Sequence, residues 1–325
     1  MERTLREDRK LFSRLGWGFA AMLFTTIVLQ TVLVILIGVF LPDFAGSPWY
    51  LTVISTLPTY GVGAPLCLLI VHGAPRVYVR NDRLPFGTLC VCMLICFPIM
   101  YLGNLLGTGI NSLLALVKGG SVSNPVEAAV SSQSLWITTL FLVLLAPMVE
   151  ELLCRKLVID RLAPYGDRTA ILVSALVFAL MHGNFQQVFY AFGMGLVFGY
   201  VYIRSGRIHY TMIMHILINF WGSVVPMLVL GGVDLEAFLS FSGTEDLEQL
   251  LPLLGQALLL LGYVLLLFVL VVAGIALFFV FRKRIRLNPG EYDLRGRRFR
   301  TVILNPGMLV LLILTLGIFA MSVLA

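Results

Sequence analysis

The sequence predicts an all-α fold: a polytopic transmembrane helix bundle of about nine spans, with its N-terminus inside. Three observations carry that prediction. Hydrophobic residues are 59% of the 325 residues and charged residues only 12%, with a mean hydropathy of +0.96, far from soluble-protein composition. The apolar residues are gathered into runs that reach the ~20 residues needed to cross a ~30 Å hydrocarbon core. Lys and Arg concentrate in every second connection between those runs, the signature of alternating inside and outside loops.

The spans fall at 15–41, 49–71, 86–117, 135–158, 169–186, 187–203, 210–231, 252–281 and 302–324. Three regions follow: an N-terminal three-span region over 1–134, a four-span core over 135–231 and a C-terminal two-span region over 232–325. The arm before the first span carries Arg3, Arg6, Arg9, Lys10 and Arg14. The connection after the second has Arg76, Arg80 and Arg83, that after the fourth Arg155, Lys156, Arg161 and Arg168, and that after the sixth Arg204 and Arg207. The connection after the eighth is richest, from Arg282, Lys283, Arg284 and Arg286 to Arg295, Arg297, Arg298 and Arg300. By contrast Asp234, Glu236, Glu245, Asp246 and Glu248 follow the seventh span. The alternation makes the chain a multi-pass membrane protein with its basic loops cytoplasmic and its C-terminus outside.

The net charge of +6 is thus a topology signal. A nucleic-acid partner would need a basic folded face, and none is visible; the lipid bilayer is the surrounding partner. The 282–300 loop could hold anionic lipid head groups, but topology alone accounts for its charge. A charged start followed by about 27 apolar residues without a small-residue cleavage site before Asp43 reads as a retained first span. Cys67, Cys90, Cys92, Cys96 and Cys154 all fall inside apolar runs, so they read as packing residues and give no disulfide framework.

Glu150 and Glu151 stand side by side inside the apolar run 140–157. One ionised side chain at the centre of a span costs roughly 2.5 to 3.5 kcal/mol on an insertion scale, so two imply a protein-lined polar cavity. Arg155, four residues after Glu151 on the same helix face, neutralises one carboxylate and leaves Glu150 over. Phe178 and His182 share a face of the fifth span, and His215 and Asn219 a face of the seventh. Each such group needs a partner in a low-dielectric setting; polar residues in successive spans indicate a site.

The ordered motifs Glu150-Glu151-Leu152-Leu153-Cys154-Arg155, Phe178 to His182 and His215 to Asn219 resemble the EExxxR, FxxxH and HxxxN/D signatures of the CPBP family. These membrane endopeptidases include the CAAX prenyl protease and bacterial Abi-type proteins, and the stretch 192–199 with Ser205-Gly206 is similar to bacterial members. The resemblance covers roughly 136–222 and touches neither the first three spans nor the last two. It implies a glutamate-dependent intramembrane peptidase in which Glu150, with His182, activates a water. His215 and Asn219 then stabilise the oxyanion, Glu151 and Arg155 form the supporting pair, and Phe178 stands with them. A buried carboxylate suits general-base work, and an amide with an imidazole suits an oxyanion.

No cofactor is needed for that reading. Zinc is the alternative, held by His182, His215 and Glu150 with a fourth position open, although no HExxH occurs in the chain. A transporter, or a non-enzymatic immunity-type protein, is the competing class; clustering of the polar residues in spans four to seven favours an enzyme acting on a peptide or protein, including membrane-associated ones. Pro147 could bend span four, and Gly193, Gly195 and Gly199 could bring span six close to its neighbours. His215 lies about five residues into its span, roughly 8 Å, and His182 ~13 residues into its own, or ~20 Å. A shared site then requires the fifth span to begin in the cytoplasm, with the cavity opening to that side.

Overall fold

Apolar segments in lipid have no water for their backbone N–H and C=O groups, so they close their own hydrogen bonds as helices. A computed structural model describes residues 4–77, 79, 81–120, 122, 134–234, 237, 247–292, 294 and 296–324. Among them there is no strand, and nine principal helices match the nine expected spans in order. They are α1 (Leu5–Phe40), α2 (Tyr50–Val71), α3 (Phe86–Lys118), α4 (Leu135–Tyr165), α5 (Asp167–Met181), α6 (Phe185–Ser205), α7 (Ile208–Gly231), α8 (Leu247–Phe281) and α9 (Pro306–Leu324).

Eight of these are long and apolar enough to cross a membrane. The ninth, α5, has 15 residues, about 22 Å of helix. Ten of its residues are buried, so α5 is a largely interior helix packed mainly against other protein. The first helix begins earlier than the apolar run because Thr4 and Glu7 form a reciprocal N-terminal cap, which stabilises the charged arm as helix.

Helices from all three expected regions pack on one another: α1 lies against α9 and α2, α6 against α3 and α5, and α8 against α3. The glycines of α6 permit its two close neighbours. A Cβ on Gly195 would meet the Ala175 Cα of α5 at 2.8 Å, whereas Gly193 faces Ile99 of α3. Only hydrogen-sized side chains allow that approach.

The connections after α2, α4, α6 and α8 are tied together at one end of the bundle. Val77 N–H donates to the Asp160 carbonyl at 2.8 Å, Asp82 N–H to Ser205 at 2.9 Å, and Asn288 N–H to the Asp167 carboxylate at 2.8 Å. Arg207 donates to the Asn81 side chain at 3.0 Å. Alternating basic loops therefore share one end, as an up-and-down chain requires.

One part of the charge assignment is corrected. Arg155 and Arg161 are not loop residues, because α4 continues to Tyr165 and buries both side chains. Arg161 donates to the carbonyls of Leu157 and Val71 at 3.0 and 3.4 Å, and Lys156 pairs with Asp160 at 3.2 Å. Arg3, Arg80, Glu236, Glu245, Asp246 and Arg295, with the stretches 123–133 and 238–246, lie outside the described residues.

Candidate active site

Span four is not uniformly α-helical. It is π-wound over Thr138–Leu145 and Leu152–Leu157, with an α-helical segment Ala146–Glu151 between. Pro147 lacks the N–H that an α-helical bond to the Val143 carbonyl would use, and the wide turns lie where that bond is missing. The same association recurs in α2, π-wound over Leu57–Gly63 around Pro58, and in α7, π-wound over Phe220–Val224 just before Pro226. Single wide turns of this kind are frequent at functional sites; here Tyr60 lies in one, Asn219 directly precedes another, and the Glu pair stands between two.

Adjacent residues on a helix point about 100° apart, so the two carboxylates meet different surroundings. Glu151 has no solvent exposure and takes two partners: Arg155 Nε at 3.1 Å and His215 Nδ1 at 3.0 Å. Its neighbour Glu150 keeps 15% side-chain exposure and borders a cavity of about 560 Å³. One of its oxygens accepts a hydrogen bond from the Tyr60 hydroxyl, and the other lies 3.7 Å from His215 Nε2.

Arg155 is fully buried, with partners for Nε and Nη1 and, among the described residues, no hydrogen-bond partner for Nη2. Besides Glu151 it donates to Ser174 Oγ at 3.3 Å, while Ser174 donates to the Cys154 carbonyl at 2.7 Å. The cation sits 4.5 Å from the Phe178 ring centroid and 5.6 Å from that of Phe198, a stacked arrangement that a planar guanidinium favours. Phe178 also meets the rings of His182 and His215 edge-on at 5.0 and 5.5 Å. Phe178 thus lies between Arg155 and both histidines.

His182 caps the C-terminus of α5, and its Nδ1 lies 2.8 Å from the Phe178 carbonyl. A ring nitrogen facing a carbonyl must carry the proton, which leaves Nε2 as an acceptor. His215 is arranged alike, with Nδ1 on the Glu151 carboxylate and Nε2 toward Glu150. Asn219 donates one amide hydrogen to the Leu142 carbonyl at 3.0 Å, a group on the π-wound part of α4, and retains a second N–H. Glu150, His182, His215, Asn219 and Phe178, drawn from three helices, all border the one cavity.

Tyr60 is the residue that sequence reasoning missed. It comes from α2, outside the stretch that carries the family signatures, and the Pro58–Gly63 interruption of an apolar span was the only local signal. The cavity lining also runs along Thr52, Ser55, Ser223 and Pro226, toward the end of the bundle opposite the tied basic loops. Among the described residues, no three His, Cys, Asp or Glu side chains are disposed to hold one metal ion.

Residues 132–221 match the protein family described as Type II CAAX prenyl endopeptidase Rce1-like. A curated relative, the membrane-embedded CAAX protease MroQ of Staphylococcus aureus (strain USA300), is 29% identical over 119 residues, which are 34% of this chain and 48% of that protein. The chain thus matches about half the length of that relative. No solved structure matches it.

Proposed function

We propose that this multi-pass membrane protein, whose residues 132–221 form a CPBP-type, Rce1-like region, is an intramembrane endopeptidase that hydrolyses a peptide bond with a water activated by Glu150. The observation that carries the reading is the division of labour between two adjacent carboxylates. Glu151 is consumed by Arg155 and His215, whereas Glu150 faces a cavity that His182 and His215 also line, with His215 Nε2 at 3.7 Å.

In the proposed reaction a water held by Glu150 and His182 Nε2 gives a proton to Glu150 while its oxygen attacks the peptide carbonyl carbon. The carbonyl oxygen becomes an anion, for which the second N–H of Asn219 is a ready donor. His215 serves there as well only when both its nitrogens carry protons, since Nδ1 is engaged by Glu151. Collapse of the intermediate breaks the C–N bond, and the departing amine takes the proton from Glu150. A prepositioned oxyanion donor contributes typically 10²- to 10³-fold in rate. Peptides or proteins near the bilayer are the proposed substrates.

Depth along the helices suggested a cavity open to the cytoplasm; the lining residues Thr52, Ser55, Ser223 and Pro226 favour entry from the end away from the basic loops. Zinc, the alternative chemistry, would need Glu150, His182 and His215 to close on one ion, and among the described residues these side chains are not so disposed. The experiment is cleavage of a peptide library by the purified full chain in detergent. Glu150→Gln should abolish turnover with an unchanged melting temperature, and wild-type activity should survive exhaustive 1,10-phenanthroline. Full activity of Glu150→Gln ends the proposal, and stoichiometric zinc whose removal and return switch activity off and on replaces glutamate chemistry with metal chemistry.

A further inference from the structure

On the opposite side of the α3–α6 pair from the candidate site lies a second, larger cavity, a groove of about 1450 Å³. The two helices divide their faces between the cavities: α3 turns Ile95, Pro98 and Leu102 to the groove and Met100, Tyr101 and Asn104 to the site. The remaining walls are the first turns of α5 and the last turns of α8. The groove's walls are overwhelmingly apolar, and its charged lining consists of Arg168, Arg204, Arg282 and Arg284.

Helix pairing puts those four arginines at one end. Gly195 of α6 abuts Ala175 of α5 and Gly199 abuts Ile171, an antiparallel register that sets Arg204, at the end of α6, beside Arg168, at the start of α5. Gly274 of α8 abuts Leu94 and Pro98 of α3, and Gly193 abuts Ile99, which carries the end of α8, and Arg282 with it, to the same level. The bond from Asn288 N–H to Asp167 at 2.8 Å ties the following loop there. Arg282 and Arg284 rest against Phe279 and Phe281, with ring distances of 5.1 and 4.8 Å. No carboxylate among the described residues pairs with any of the four.

We propose that this groove is a binding site for one anionic glycerophospholipid, its phosphate between the four guanidiniums and its acyl chains along α3, α6 and α8. Topology accounts for basic residues at this end, but not for their convergence on the mouth of an apolar groove. The groove's wall on α6 runs from Gly193 to Arg204, about 17 Å of helix, close to one leaflet of a ~30 Å core. Guanidiniums match phosphate oxygens two at a time, and the walls reject a free inorganic anion's need for water on every side.

The test uses the full chain reconstituted in nanodiscs containing phosphatidylglycerol and phosphatidylcholine in equal amounts, then extracted into mild detergent and weighed by native mass spectrometry. Wild type should retain one phosphatidylglycerol per chain, at least tenfold over phosphatidylcholine, and glycerol 3-phosphate should not displace it. R282Q/R284Q should lower retention by about 25-fold, since each surface basic residue contributes about fivefold toward anionic lipid. R168Q/R204Q should act alike, and Leu172→Trp, which fills the groove, should lower retention with every arginine present. The control R297Q/R298Q removes equal charge from the same loop outside the groove and should leave retention unchanged. Equal losses in the control and groove pairs, equal retention of the two lipids, or displacement by glycerol 3-phosphate would overturn the proposal.

Discussion

Arg155 shows how one side chain can be read two ways from sequence and only one way in the fold. It stands at the end of an apolar run like a topology anchor, yet it is fully buried against Glu151, Ser174, Phe178 and Phe198. Truncation would strand the Glu151 charge in the bundle interior, and breaking a buried pair typically costs about 3 to 5 kcal/mol. Arg155→Ala should therefore accumulate poorly and melt far below wild type in detergent. Arg155→Lys should recover only part of that loss, because an ammonium cannot stack on Phe178 while reaching both partners; normal melting of the alanine variant would show the pair to be dispensable. Tyr60 invites a milder test. Its hydroxyl donates to Glu150, and hydrogen bonds to charged groups are worth about 1.5 to 3 kcal/mol. Tyr60→Phe should lower kcat by roughly 10- to 100-fold with little change in melting temperature. An unaltered kcat would mean that the contact does not position the carboxylate.

The individual helices owe their irregularity to proline and their proximity to glycine. π-winding beside Pro58, Pro147 and Pro226 surrounds the cavity on three helices, so the wide turns are part of how the cavity is built. Close packing of α5 on α6 depends on Gly195, where a Cβ would fall 2.8 Å from backbone of α5. Gly195→Val should destabilise by about 1 to 3 kcal/mol or more through overpacking and should reduce activity, because α5 carries His182. In α8, Gly255 has nothing within 4 Å of its Cβ position, so Gly255→Ala should be neutral or stabilising by up to about 1 kcal/mol. Thermal unfolding of both variants checks the contrast; equal behaviour would remove the packing argument. The Gly195 and Gly199 spacing was visible in the sequence, but which helix it received was not, since small residues signal closeness without naming a partner.

For the molecule as a whole, the tied basic loops define one end and the cavity lining runs toward the other. A membrane-impermeant maleimide should therefore reach Ser55→Cys and Arg297→Cys from opposite faces of sealed vesicles. Labelling of both from the same face would contradict either the helix order in the bundle or the direction of access. At this scale the lipid groove and the candidate site are separate compartments that share the α3–α6 wall, so groove variants should alter lipid retention without removing any group that borders the site.

The sequence by itself determined the membrane class, the order of the helices and which polar residues lie inside them. Apolar run length is set by bilayer thickness, and a carboxylate pair, two histidines and an amide inside such runs are conspicuous because each is unfavourable there without a partner. Tertiary structure decided everything that depends on partners distant in the chain. It separated Glu150 from Glu151, gave His215 to the latter, made α5 a largely interior helix too short to span, and drew Tyr60 from a helix ninety positions away to the site. It also gathered arginines from three connections around one groove. Local patterns are written by a solvent that every residue meets alone, whereas hydrogen-bond partners and cavities arise only when helices are placed side by side.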